Sequence, residues 1–219
     1  FKGTQIDGGW CFDEKGSIPT TTPTTLVMMA LTKIEHPYKN ELMHKAVQWL
    51  RLAQHPNGGW GSYSNSMREI SPTPAHTSRA IFALLEYGLS TDDKCIKEGI
   101  KWLLSNRSTN GSWADSSDSE LLGDGSGRID FKHAGLSWAL IALQRFGYGI
   151  EHPFVARGLQ LLLHKQKSPG IWEHELTPGH IPAWFMHDNI SAVSVASDFR
   201  NTYMYSRLLS KGGLKTEQW

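Results

Sequence analysis

The amino-acid sequence predicts an all-α fold built from stacked helical hairpins. Three observations carry that expectation. A Gly-Trp loop motif returns with a period of about 50 residues, which is typical of repeat architectures. Between copies lie two stretches whose apolar residues fall at helical spacing. No convincing strand is read anywhere along the chain.

The first loop is Gln5-Ile6-Asp7-Gly8-Gly9-Trp10, and the second runs from Gln54 to Gly61 through Asn57-Gly58-Gly59-Trp60. The third ends Asn110-Gly111-Ser112-Trp113, and a degenerate fourth ends Pro169-Gly170-Ile171-Trp172. The repeats fall near 5–53, 54–105, 106–165 and 166–212, and residues 1–219 read as a single domain. Each loop leads through a polar turn into an apolar helix, at about Thr22–Ile34, Thr73–Tyr87, Phe131–Phe146 and Asn189–Leu209. A second helix precedes the next loop, at about Asn40–Ala53, Thr91–Ser105 and Pro153–Lys165. This makes seven helices in all.

Ser137 to Leu143 is apolar nearly all round, as a helix buried on most sides must be. In the second helix of the preceding repeat, Ile96, Ile100, Leu103 and Leu104 share one face, away from Lys94, Lys97, Glu98 and Lys101. Each repeat therefore pairs a buried inner helix with an amphipathic outer one. Such hairpins bury their apolar faces only by stacking on neighbours. The loop glycines suit left-handed helix ends. The tryptophans bury a large area at each junction, and the Gln side chains bond loop backbone groups.

Composition narrows the function. The formal net charge of +1 gives no field to attract nucleic acid. The apolar runs are too short for a transmembrane helix, and no secretory leader opens the chain. Two cysteines, Cys11 and Cys95, make neither a disulfide framework nor a zinc-ligand spacing, which points to a reducing, cytoplasmic setting. The chain begins at Phe1 rather than Met, as a piece of a longer chain would. Open repeat ends call for a cap, from a partner protein or from missing parts of the same chain.

The Gln-x-x-Gly-Gly-Trp-Gly pattern resembles the repeat signature of squalene-hopene and oxidosqualene cyclases. Ser71 to Leu85 is similar to the stretch that follows the loop in those enzymes, and Pro178-Gly179-His180-Ile181-Pro182 is a looser match. Gly127 to Phe131 resembles inner-helix starts of protein prenyltransferase β subunits. The resemblance covers most of the chain, from Gln5 to about Leu209. It implies an α/α toroid, a partial α-α barrel with its inner-helix starts facing a central cavity. It also implies a cavity suited to an apolar ligand.

The resemblance further says where catalytic groups would stand. The cyclases protonate an alkene or epoxide with an Asp-x-Asp-Asp-Thr motif at an inner-helix start. The corresponding Thr20-Thr21-Thr22-Pro23-Thr24-Thr25 holds no carboxylate, and a threonine hydroxyl is far too weak an acid for that work. Asp92-Asp93 opens an outer helix, where acidic residues serve the cap and dipole. Asp130 lacks the neighbouring cysteine of a zinc prenyltransferase site. Asp115, Asp118 and Asp124 are scattered through a Ser/Gly-rich loop, where they solvate it rather than bind magnesium. The histidines from His164 to His187 are badly spaced for zinc, so no metal or cofactor is expected.

What remains at the inner-helix starts are the cavity candidates. These are Thr21, Thr24 and Thr25, then His76 and Arg79, then Asp130, Lys132 and His133, then His187 and Asp188. Asp130 and His133 would share a helix face as an acid-base pair, or as an N-cap with a surface histidine. Trp138 is an aromatic that either lines the cavity or fills core. With no acid in place, the expectation is a non-catalytic scaffold that binds a ligand or a protein. The alternative is an isoprenoid cyclase or transferase whose acid lies outside this chain.

Overall fold

Successive helices alternate between an inner and an outer layer, because one of each pair is apolar on nearly every side and the other on a single face. The computed structural model describes residues 7–11, 18–35, 37–63, 71–121, 128–167 and 171–172. Among them are six helices: α1 (Thr21–Thr32), α2 (Lys39–Ala53), α3 (Pro74–Tyr87), α4 (Lys94–Ser105), α5 (Gly135–Phe146) and α6 (Pro153–His164). The expected fourth inner helix, at Asn189–Leu209, lies outside the described residues, as do His187 and Asp188.

Inner helix α3 packs between α1 and α5, and each inner helix carries its outer partner: α2 on α1, α4 on α3, α6 on α5. The core follows that plan. Met28, Ile81, Leu84, Leu140 and Leu143 come from the inner layer, and Leu50, Ile96 and Leu103 from the outer. The architecture is an all-helical α/α toroid arrangement.

The second and third Gly-Trp loops lock the layers together in the same way. Trp60 Nε1 donates to the Leu50 carbonyl at 2.7 Å, and Trp113 Nε1 to the Leu103 carbonyl at 2.8 Å. Each indole thus satisfies a carbonyl near the end of the preceding outer helix. Gln54 Nε2 donates to the carbonyls of Gly58 and Cys95, at 2.8 and 2.9 Å. Gly58 has φ +97°, and a Cβ there would lie 2.6 Å from the Glu98 carbonyl oxygen. Only glycine fits both that backbone and that approach. Below the first two loops, a threonine on the inner helix takes the tryptophan amide: Thr24 Oγ1 from Trp10 and Thr77 Oγ1 from Trp60, both at 2.9 Å.

Two short antiparallel ladders correct the strand-free expectation. β1 (Ser116–Leu121) pairs with β2 (Arg128–His133), Ser116 opposite His133 and Leu121 opposite Arg128. β3 (Gln166–Lys167) pairs with β4 (Ile171–Trp172). The helix expected from Phe131 therefore starts only at Gly135. Arg128-Ile129-Asp130-Phe131-Lys132 alternates polar and apolar residues, a period of two that suits a strand. Asp130 lies on β2 and has no place in a helix cap. The cap comes from Asp115, whose Oδ1 accepts the Gly135 N–H at 2.8 Å.

Candidate functional site

The first turns of α1, α3 and α5 lie side by side, and a buried polar cluster forms where they meet. Its centre is Arg79, in the second turn of α3 and only 1% exposed. Arg79 Nη1 donates to Thr22 Oγ1 of α1 at 3.0 Å and to His133 Nδ1 at 2.9 Å. The guanidinium also lies over the Trp138 ring of α5, 4.8 Å from its centroid. A cation above an indole face is attracted by the ring quadrupole, the more so when desolvated.

The histidines are placed by two different devices. β2 ends at His133 and carries it to the threshold of α5. His76 sits in the first turn of α3, whose N-cap Thr73 accepts the His76 amide. Thr73 Oγ1 also lies 2.8 Å from His76 Nδ1 and accepts from Ser116 Oγ at 3.3 Å. The two imidazoles meet edge to face, centroids 4.6 Å apart. Because a guanidinium only donates, the His133 Nδ1 lone pair is the acceptor. His133 is therefore neutral, with its proton on Nε2.

The threonines at the start of α1 are buried and engaged with neighbours. Thr21 Oγ1 donates to the Gly61 carbonyl at 2.6 Å, and Thr25 Oγ1 to the Thr21 carbonyl at 2.8 Å. Thr20 bridges to Tyr63. Thr24 is occupied by Trp10, as above. Of this run it is Thr22 that reaches the Arg79 cluster.

Of the sequence candidates, His76, Arg79, His133 and Trp138 are thus brought into one cluster. Thr21 and Thr24 stand at the same helix start but face the Gly-Trp loops. Asp130 is on β2 instead of a helix turn, so the helical pairing with His133 does not form. Thr22, Thr73 and Ser116 belong to the cluster and were absent from the candidates. Thr22 had a signal in its place within the acid-motif position, whereas Ser116 had none. Among the described residues, no group of His, Cys, Asp and Glu is arranged to hold a metal ion.

The other end of the inner layer is tied by ions. Glu86 near the end of α3 pairs with Lys33 at 3.1 Å and with Arg145 of α5. On the outer layer, Arg51 of α2 pairs with Asp93, the N-cap of α4, at 2.6 Å. The Arg51 hydrogen bond holds the Asp93 carboxyl below its ordinary range. Burial, followed by the Asp93 contact, pushes the neighbouring Cys95 thiol up to about 12.

Fold and site together describe a toroid of the terpenoid-cyclase type. The model for the squalene-hopene cyclase C-terminal domain matches residues 2–125, more than half of the chain, and the chain belongs to that family. It is 27% identical over 197 residues to the squalene–hopene cyclase of Bradyrhizobium diazoefficiens, covering 77% of this chain and 28% of that protein. It is 36% identical over 104 residues to the (+)-kolavenyl diphosphate synthase of Herpetosiphon aurantiacus, covering 45% of this chain and 18% of that enzyme. The type II terpene cyclase MstE from Scytonema, in complex with merosterolic acid A, superposes with a TM-score of 0.59 at 17% identity. That superposition covers 99% of this chain and 57% of MstE. The chain thus spans well under half the length of the curated relatives it matches.

Proposed function

We propose that this chain is a terpenoid-cyclase-type domain that binds its ligand without protonating it. One observation carries the reading: Thr22, within the run that replaces the acid motif, accepts a hydrogen bond from buried Arg79. A hydroxyl there is no proton donor for an alkene. A guanidinium at that distance would also hold any carboxylate in its ionised form, which is the wrong state for an acid. Residues 1–219 act in this reading as one domain, its repeat ends capped by further residues of the same protein or by a partner protein.

The second reading is a cyclase or transferase whose acid lies elsewhere in a longer protein. It draws on the relatives, which are all much longer than this chain. Incubating the full-length protein with squalene and with geranylgeranyl dihydroxybenzoate, then searching for cyclised products by mass spectrometry, separates the two. The binding reading expects none, together with bound substrate recovered intact. A cyclised product would overturn it in favour of the second reading.

A further inference from the structure

We propose that Asn110 is a site of spontaneous deamidation in the folded protein, and that the fold protects its counterpart Asn57. This goes beyond the reading of the chain as a ligand-binding domain and does not depend on it. Asparagine is chemically labile. It is most so before glycine, which has no side chain to keep its amide nitrogen from the asparagine side chain. The glycine nitrogen attacks the asparagine Cγ and closes a succinimide ring. The side-chain nitrogen departs as ammonia, taking the glycine N–H proton with it. Water then opens the ring at either carbonyl and leaves aspartate or isoaspartate. Asn-Gly occurs in this chain at 57–58 and 110–111.

The two pairs occupy the same place in equivalent loops. The Gly58 amide donates to the His55 carbonyl and the Gly111 amide to the Ser108 carbonyl, each at 2.8 Å. A second bond closes each loop, from the His55 amide to the Gly59 carbonyl and from the Ser108 amide to the Ser112 carbonyl, again at 2.8 Å. Both asparagine side chains are held alike: Asn57 Oδ1 accepts the Gly59 amide at 3.1 Å, and Asn110 Oδ1 the Ser112 amide at 2.9 Å. The attacking nitrogen has to give up its bonded proton and turn toward Cγ, so either loop reacts only from an opened state. What differs is the wall behind each glycine. Gly58 is buried against the backbone of α4, where a Cβ would lie 2.6 Å from the Glu98 carbonyl oxygen. Gly111 is half-buried. Beyond its chain neighbours, a Cβ there would meet only the Arg157 side chain among the described residues, with Cγ at 2.9 Å. Arg157 is itself exposed, and its Nε donates to the Asn110 carbonyl at 3.2 Å. A flexible side chain gives way where a helix backbone does not. Arg157 also belongs to α6, which rests chiefly on α5, so the third loop opens more readily than the second.

The test incubates the full-length protein at pH 8, native and in guanidinium chloride, and digests samples with pepsin at acidic pH. Mass spectrometry follows the conversion of amide to acid in the peptides that hold Asn57 and Asn110. In the native protein Asn110 is expected to convert roughly fivefold or more faster than Asn57, the ratio of the two loops' open populations. In guanidinium chloride only the local sequence acts, and the two rates are expected to come together. Arg157→Ala, a change at an exposed position, is expected to speed native conversion at Asn110 about twofold or more and to leave Asn57 unchanged. A native ratio no larger than the unfolded one, or faster conversion at Asn57, would overturn the proposal. So would an Asn110 rate that Arg157→Ala leaves unchanged.

Discussion

Cys95 shows how one residue's chemistry is set by its neighbours. It is buried beneath the α4 N-cap, where the Asp93 carboxylate lies against it, and both effects oppose a thiolate. Native protein at pH 8 is therefore expected to leave Cys95 unmodified by iodoacetamide for hours, while unfolded protein reacts at once. Peptide mass mapping reads the difference, and rapid native labelling would refute the placement. Asp93 carries its own prediction. Its carboxyl is held below the ordinary value of about 3.9 by Arg51, so its contribution is fully present above that value. The contribution is lost as the pH falls through the lowered folded-state value. Asp93→Ala is expected to cost about 1 to 2 kcal/mol, mostly from the lost cap, since the ion pair is partly solvated. Urea unfolding at pH 7 and again near pH 3 measures both, and the deficit should shrink at the lower pH. Thr22→Val leaves Arg79 one acceptor short in a buried site and should cost about 1 to 3 kcal/mol by the same assay.

At the scale of elements, the glycines inside helices mark where layers touch. Gly99 in α4 faces the inner layer, and a Cβ there would lie 2.7 Å from Trp60 Cζ3 and 3.1 Å from Ile81 Cδ1. Alanine is the better helix former by about 1 kcal/mol, so an exposed Gly→Ala change would stabilise. Here the overpacking should win, and Gly99→Ala is expected to destabilise by about 1 to 3 kcal/mol. A raised thermal midpoint would show that α4 stands further from the Gly-Trp loop than described. The same close approach recurs at Gly158 in α6, with Leu140 Cδ2 at 2.8 Å. Helix pairs were legible because their apolar periodicity is strong. The β1–β2 ladder was not, because β1 reads Ser-Ser-Asp-Ser-Glu-Leu, a composition with little strand preference. Its partner β2 did carry an alternating pattern, but six residues before an apolar helix read equally well as that helix's first turns.

For the whole molecule, the repeat plan predicts a gradient of stability. α3 is flanked by α1 and α5 and backed by α4, whereas α6 rests chiefly on α5. Contacts between neighbouring repeats supply most of the stability of such arrays. Amide hydrogen exchange should therefore be slowest in α3 and faster in α6. Uniform protection across both helices would mean that something outside the described residues covers the α6 side as fully as a neighbouring repeat would. The inner layer is also pinned at both ends, by Arg79 near the start of α3 and by Glu86 with its two cations near the end. No helix among the described residues is long and apolar enough to cross a membrane.

The amino-acid sequence by itself determined the repeat, the inner and outer helices, the role of the glycines and tryptophans, and the lack of a carboxylate at the start of the first inner helix. These are local properties: periodicity fixes which face of a helix is buried, and a φ above zero asks for glycine. Only the tertiary structure decided that Arg79 would meet Thr22 and His133, residues 57 and 54 positions away. It also decided that Asp115 would cap α5 across 20 residues. Periodicity says that a side chain points inward but not which neighbour receives it, because that depends on how adjacent helices are set against each other. A buried guanidinium placed between hydroxyl, imidazole and indole is a property of four packed elements and of none of them singly.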